Sequence, residues 1–271
     1  MNAEVINKIM AETKANREAI IMARNEVAGN CEQHGQFTYR ELEEVGDVHF
    51  QYGQKIGNER CPKCYLLRQE KREAEFWKEK FIKYSGIPKR FIVNSFENYS
   101  AAQGTRAFLA KKTAEDYAKN FVQHLPLGRS IVMTGKTGTG KTHLACAIIK
   151  ELMLNQRFQC KYTKAYHIIR EIKDTYRQHD STSKTEIEII NELLYPDLLV
   201  IDEVGMQFGT DTEKLLLFEV LDGRYENMKP SVIVSNLDIP GITEYLGDRI
   251  IDRLCEDGAI LTFEWASHRQ L

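Results

Sequence analysis

One string limits the possible folds of this chain more than any other. Gly135-Lys136-Thr137-Gly138-Thr139-Gly140-Lys141-Thr142 satisfies G-x-x-x-x-G-K-[ST] without a departure. The apolar run Ile131–Thr134 leads into it as a strand, and a helix from Lys141 leads out. Glycines let the backbone wrap a polyphosphate with its N–H groups inward, and the helix N-terminus adds partial positive charge. On this pattern Lys141 reaches the β- and γ-phosphates and the Thr142 hydroxyl ligates Mg²⁺. A strand–loop–helix of this kind implies an α/β domain that binds a nucleoside triphosphate.

A second string completes the site. Leu198-Leu199-Val200-Ile201 reads as a strand covered on both faces, and Asp202-Glu203 emerge at its C-terminal end, where ligands of parallel sheets bind. Asp202 would hold Mg²⁺ and Glu203 would orient and polarise the attacking water. The plainer alternative is a core strand capped by a solvated acidic pair. A small-molecule kinase has no need of the glutamate, so the pair favours hydrolysis of ATP. The run Ser231–Ser235 reads as the next strand, ending in Asn236. That residue could bond the γ-phosphate or the water, or could be an ordinary turn residue. In Leu246–Leu254, Arg249 and Arg253 stand four apart and share one helix face. They could reach the γ-phosphate on a neighbouring subunit, or pair locally with Asp248 and Asp252.

The rest of the chain alternates in period from about residue 104. Helices are expected over 104–124, 141–155, 165–178, 184–194 and 212–225, with 238–255 mostly helical. Strands are expected over 160–163 and 260–263, besides those above. Alternating β and α elements predict a parallel, doubly wound sheet. Upstream, 2–28 reads as a modestly amphipathic helix and 66–84 as a charged helix ended by Gly86 and Pro88. The expected division is an N-terminal domain over 1–85, a linker over 86–103 and the nucleotide-binding domain over 104–271.

Between the first two helices, Cys31-Glu32-Gln33-His34 and Cys61-Pro62-Lys63-Cys64 form C-x₂-H and C-x₂-C with 26 residues between them. Cys31, His34, Cys61 and Cys64 suit tetrahedral Zn²⁺, and the intervening segment has few large aliphatics to fold around without a metal. A redox CxxC and a site using His49 instead of His34 are the alternatives. The redox motif normally opens a helix in a βαβ unit, which is missing here. The chain has 271 residues, of which 42% are hydrophobic and 28% charged, with no apolar run long enough to span a membrane. Its first residues have no signal-peptide core, so a cytoplasmic location is expected. A net charge of −2 makes the whole chain no attractor of nucleic acid. From Arg60 to Arg90, however, ten Lys/Arg face four Glu, which is either a solvated helix face or a local site for an acidic partner.

Several strings outside the generic nucleotide motifs carry a family resemblance. They are Ser95-Phe96-Glu97-Asn98-Tyr99, the run from Gly135 to Ile148, Lys173-Asp174-Thr175-Tyr176-Arg177, the run from Asp197 to Gln207, Leu246 to Leu254, and Phe263-Glu264-Trp265-Ala266-Ser267-His268-Arg269. Together they resemble the DnaC-type replicative helicase loaders, AAA+ ATPases, over about residues 85–271. The cysteine segment resembles that of phage and prophage members. The resemblance implies a P-loop AAA+ core without a full helical lid, beside a small N-terminal helical, zinc-binding domain that binds the replicative hexameric DNA helicase. It also implies self-association through AAA+ interfaces and deposition of the helicase on single-stranded DNA. In the family pattern the arginine finger falls on Arg253 with Arg249 its neighbour, the sensor 2 arginine on Arg269, and sensor 1 on Asn236. Lys173 and Tyr176 fall on positions that contact single-stranded DNA, a cation for phosphate and a ring for stacking. Further DNA-contacting positions fall on Thr210 and Thr212, where the aromatic of the pattern is missing. Two other readings compete: an IstB-like transposase-helper ATPase acting on duplex DNA, and an ATP-switched adapter with negligible turnover.

Overall fold

The computed structural model describes residues 24–42, 61–176, 184–206 and 210–267. They fall in two compact units that divide after Glu75. In the first, strands β1 (Arg24–Cys31) and β2 (Gly35–Leu42) form an antiparallel hairpin, and helix α1 begins at Pro62 and runs to Tyr84. The hairpin corrects the expected helix over 2–28. Residues 24–28 are strand, and 2–23 lie outside the described residues. Val27, Phe37, Thr38 and Tyr39 favour a pleated surface, and the pairing of Cys31 with Gly35 closes the turn that holds His34. Gly35 takes φ +73° there, which glycine adopts without strain. Helix α1 starts four residues earlier than the charge pattern suggests. Its missing N–H costs Pro62 nothing at a first helical position.

The second unit is built on five parallel strands: β3 (Ile131–Gly135), β4 (Cys160–Lys164), β5 (Leu198–Val204), β6 (Ser231–Ser235) and β7 (Ala259–Phe263), in the order β4-β5-β6-β3-β7. Alternation within the strands divides the core. Ile131, Met133, Leu198, Val200, Val232 and Val234 face one layer with helices α2 (Arg106–Lys119) and α3 (Lys141–Leu154). Val132, Leu199, Ile201 and Ile233 face the other, with α4 (Ala165–Thr175), α5 (Glu186–Leu194), α6 (Asp211–Glu226), α7 (Ile239–Leu246) and α8 (Asp248–Cys255). Because both faces are covered, the strands read as continuous apolar runs. The expected helix over 104–124 ends at Asn120 and resumes for a single turn, Phe121–His124. The expected 238–255 helix is split at Gly247, where φ is +86°.

Two features set the frame of the site. Ile87, Phe96 and Tyr99, from the stretch before the sheet, are buried in the first core layer. Arg224 is wholly buried on α6, where its guanidinium donates to the carbonyls of Leu193, Leu194, Pro196 and Pro230 and to Ser231 Oγ. It thereby satisfies the orphan carbonyls at the end of α5. Among the described residues, no helix is long and apolar enough to cross a membrane.

Candidate functional site

The loop from Gly135 to Gly140 joins β3 to α3, and three glycines give it its shape. Gly135, Gly138 and Gly140 have φ of +121°, +80° and +97°. A Cβ at Gly135 would lie 2.3 Å from the Phe263 carbonyl oxygen, and one at Gly140 would lie 2.5 Å from the Tyr99 ring. The loop is tied on both sides: Gly135 N–H donates to Leu237 O and Lys136 N–H to Phe263 O. Thr139 is fully buried, and its carbonyl accepts from Tyr99 O–H at 3.1 Å and from Trp265 Nε1–H at 3.0 Å. His143 Nε2 donates to Ser95 O at 2.9 Å, and its ring meets Tyr99 edge-on. The Ser95–Tyr99 string, named above only for its resemblance, is thus the outer wall of the phosphate loop. Trp265 is a second support that motif reading missed, although it lies within a quoted string.

Inside the loop, Lys141 is 5% exposed, and its ammonium donates to Gly135 O at 2.6 Å and Lys136 O at 2.7 Å. Burial pushes its pKa down to about 8, partly opposed by the charge of Asp202. The cation therefore rests on carbonyls of the cradle that a phosphate would otherwise draw it from. A curved loop shaped by three glycines at positive φ, with a desolvated cation at its centre, fits a polyphosphate.

Asp202 ends the unbroken buried run of β5 from Leu198 and holds three donors. Thr142 Oγ1 donates to Oδ2 at 2.9 Å, Tyr162 O–H to the same oxygen at 2.7 Å, and Glu203 N–H to Oδ1 at 2.7 Å. Burial and the Asp202 carboxylate push the Tyr162 phenol well up, so that it stays a donor. Glu203 follows with φ +58° at an irregularity in the pairing of β5 with β6. Such a backbone costs on the order of 1–2 kcal/mol for a residue with a Cβ and is held only by its surroundings. Lys164 Nζ donates to Glu203 Oε1 at 2.9 Å. Tyr162 and Lys164 were not singled out from sequence. They stand two apart on β4, and the parallel register sets β4 against β5 with Lys164 opposite Asp202. Asn236 leaves β6 with its Nδ2 3.8 Å from Met206 Sδ.

The structure gathers the loop, Lys141, Thr142, Asp202 and Glu203 into one site. Within the chain it pairs the arginines with a residue other than the local alternatives, Asp248 and Asp252. Arg253 is ion-paired with Asp222 of α6 and lies 4.6 Å from the Tyr225 ring centroid, and Arg249 is 3.8 Å from the same Asp222 carboxylate. Arg249 remains mostly exposed, whereas Arg253 is 20% exposed. Arg269 lies outside the described residues. At the end of α4, Lys173 Nζ donates to Glu213 Oε1 at 3.0 Å and Tyr176 O–H to Glu186 Oε1 at 3.0 Å. Thr210 caps α6 by accepting from Glu213 N–H.

The cysteine segment forms a separate centre. Cys31, His34, Cys61 and Cys64 bring their donor atoms within 4.8 Å of one another. Cys31 Sγ is 3.6 Å from both Cys64 Sγ and His34 Nδ1, which lies 3.7 and 3.3 Å from the Cys61 and Cys64 sulfurs. Around Zn²⁺, bonds of about 2.3 Å to sulfur and 2.0–2.1 Å to nitrogen give tetrahedral edges of roughly 3.8 and 3.6 Å. The four side chains fit that polyhedron. The Gln33 backbone N–H, with His34, pushes the Cys31 thiol down to about 6, while facing Cys31 pushes the Cys64 thiol up to about 11.

Comparison with known proteins places this geometry. The model of the family described as IstB-like ATP binding protein matches residues 65–270, a span that starts after Cys64. A replicative helicase loader DnaC from Buchnera aphidicola subsp. Baizongia pistaciae is 34% identical, covering 71% of this chain and 76% of the relative. That of Buchnera aphidicola subsp. Acyrthosiphon pisum is 36% identical, covering 69% and 73%. The crystal structure of the DnaC helicase loader superposes with a TM-score of 0.56 at 20% identity, over 65% of this chain and 99% of the other.

Proposed function

Since this chain belongs to the IstB-like ATP-binding protein family, we propose that it is an ATPase that loads a replicative DNA helicase onto single-stranded DNA. The observation that carries the proposal is the identity of 34–36% with named helicase loaders across about 70% of the chain. The phosphate loop and acidic strand supply the ATP site such a loader needs.

In the proposed cycle, the loop N–H groups and Lys141 bind the phosphates, Lys141 leaving the Gly135 and Lys136 carbonyls to do so. Thr142 and Asp202 are the residues that would hold magnesium. Bound there, the ion would neutralise charge developing on the phosphates. Glu203 would orient the attacking water and accept its proton, which requires its carboxylate to turn from Lys164. Asn236, where β6 ends, would bond the γ-phosphate or that water. Arg253, once released from Asp222, would reach the nucleotide of a neighbouring subunit, with Arg249 beside it, and Arg269 is the sensor 2 arginine that the resemblance implies. Lys173 and Tyr176 would meet single-stranded DNA, and phosphate would have to displace Glu213 from Lys173. We place zinc on Cys31, His34, Cys61 and Cys64 as the element that folds the hairpin onto the start of α1. That segment lies outside the family match, so its partner is a matter for the same experiment.

Pull-down of the host's replicative helicase by this protein, with and without ATP, tests the proposal. Recovery of a complex is expected. Failure to recover one, combined with ATP-dependent filaments on duplex DNA, would instead support the IstB-like transposase-helper reading.

A further inference from the structure

We propose that Tyr162 is a positioning residue of the ATP site: its hydroxyl fixes the Asp202 carboxylate in the orientation that receives magnesium. This rests on the reading of Asp202 as the magnesium carboxylate given above. Tyr162 and Asp202 are each 3% exposed, so neither polar group has water as a ready substitute partner. A carboxylate turns freely about its last bond unless its oxygens are held from different directions. Here Glu203 N–H holds Oδ1 from the same strand, and Tyr162 O–H holds Oδ2 from the neighbouring strand. The third donor, the Thr142 hydroxyl, is itself proposed to turn towards the metal, which leaves Tyr162 as the side chain with no other task there.

The backbone that carries the ring is held as well. Tyr162 pairs with Val200 in the β4–β5 register. On the outer edge of β4, Tyr162 N–H donates to Ser85 O at 2.6 Å. Gly86 takes φ +72° beneath it, where a Cβ would lie 2.2 Å from the Tyr162 carbonyl oxygen. The backbone of Tyr162 is thus fixed between β5 and the segment that follows α1. Hydrogen-bond partners of metal-binding groups typically change metal affinity by about 10–100-fold when removed.

Tyr162→Phe removes one oxygen and keeps the packed ring. The test measures binding of a fluorescent ADP analogue in magnesium and in EDTA, with thermal melts of the nucleotide-free protein alongside. Tyr162→Phe should bind within about twofold of the parent in EDTA yet lose about tenfold in magnesium, at the low end of that range. Asp202→Asn should lose the magnesium enhancement entirely. Full enhancement in Tyr162→Phe, with Asp202→Asn deficient, would overturn the assignment of Tyr162 alone. An equal loss with and without magnesium would also overturn it, reducing the residue to core packing. Enhancement surviving in Asp202→Asn would instead remove the premise that Asp202 serves magnesium.

Discussion

Replacing Lys164 by methionine removes one contact of the Glu203 carboxylate in the nucleotide-free protein. The pair is short, 2.9 Å, but its side chains are 25% and 38% exposed. Ion pairs this accessible contribute about 0.5–1 kcal/mol after screening and side-chain entropy. The left-handed backbone of Glu203 arises where β5 and β6 slip in register, so methionine at 164 leaves the backbone in place and removes only the Lys164 contact from the carboxylate. If hydrolysis requires Glu203 to abandon Lys164, the variant starts about 0.5–1 kcal/mol closer to the transition state, and kcat rises about two- to fivefold. KM for ATP should stay unchanged because Lys164 contacts no residue of the phosphate loop in the described hydrogen bonds. Steady-state phosphate release at saturating magnesium-ATP reads both constants, and Lys164→Arg should remain near the parent. A kcat lowered tenfold at constant KM would refute the reasoning and make Lys164 a participant in hydrolysis.

Other parts of the site yield further expectations. Lys141 is depressed to about 8 in the free protein, and phosphates will raise it, so nucleotide binding takes up a proton above about pH 8. Affinity should fall with rising pH beyond that point, by at most tenfold per unit; calorimetry in two buffers at about pH 9 should show proton uptake that is absent near pH 7. The sign for folding is the reverse: a depressed lysine destabilises the fold most below about pH 8, and stability recovers from there towards its ordinary value. Arg224→Met strands several carbonyls at about 1–3 kcal/mol each, offset in part by no longer burying a charge, for a net loss of about 3 kcal/mol. At about 2–4 °C per kcal/mol for a domain of this size, Tm should drop by roughly 6–12 °C; a change under about 2 °C would show the guanidinium to be dispensable. Purified protein should contain one zinc by atomic emission, and Cys61→Ser should lose it along with protease resistance before residue 62; full zinc retention would exclude that ligand.

The parts of the site legible in sequence are those carried by short continuous strings. Gly135–Thr142 and Leu198–Glu203 each specify their own strand, turn and side-chain direction, and the structure brings them together as parallel strands require. What could not be read comes from neighbours set by sheet order. Tyr162 reaches Asp202 only because β4 adds to β5 in one register, and Trp265 reaches Thr139 across 126 positions. The in-chain partner of Arg253 was not legible for the same reason: local Asp248 and Asp252 look available, yet packing of α8 on α6 supplies Asp222. The hairpin was missed because scattered aliphatics among charges suggest a helix, whereas its strand partner lies beyond the Cys31–His34 turn. The cluster of Cys31, His34, Cys61 and Cys64 was legible since its two short spacings needed only a loop to join them.

Helicase loading itself is the claim to test most directly. The host's replicative helicase is incubated with circular single-stranded DNA, ATP and this protein, and helicase retained on the circle is measured after gel filtration. Retention that depends on this protein and is lost in Lys141→Ala is expected. Equal retention without the protein, or none with it, would contradict the loader assignment.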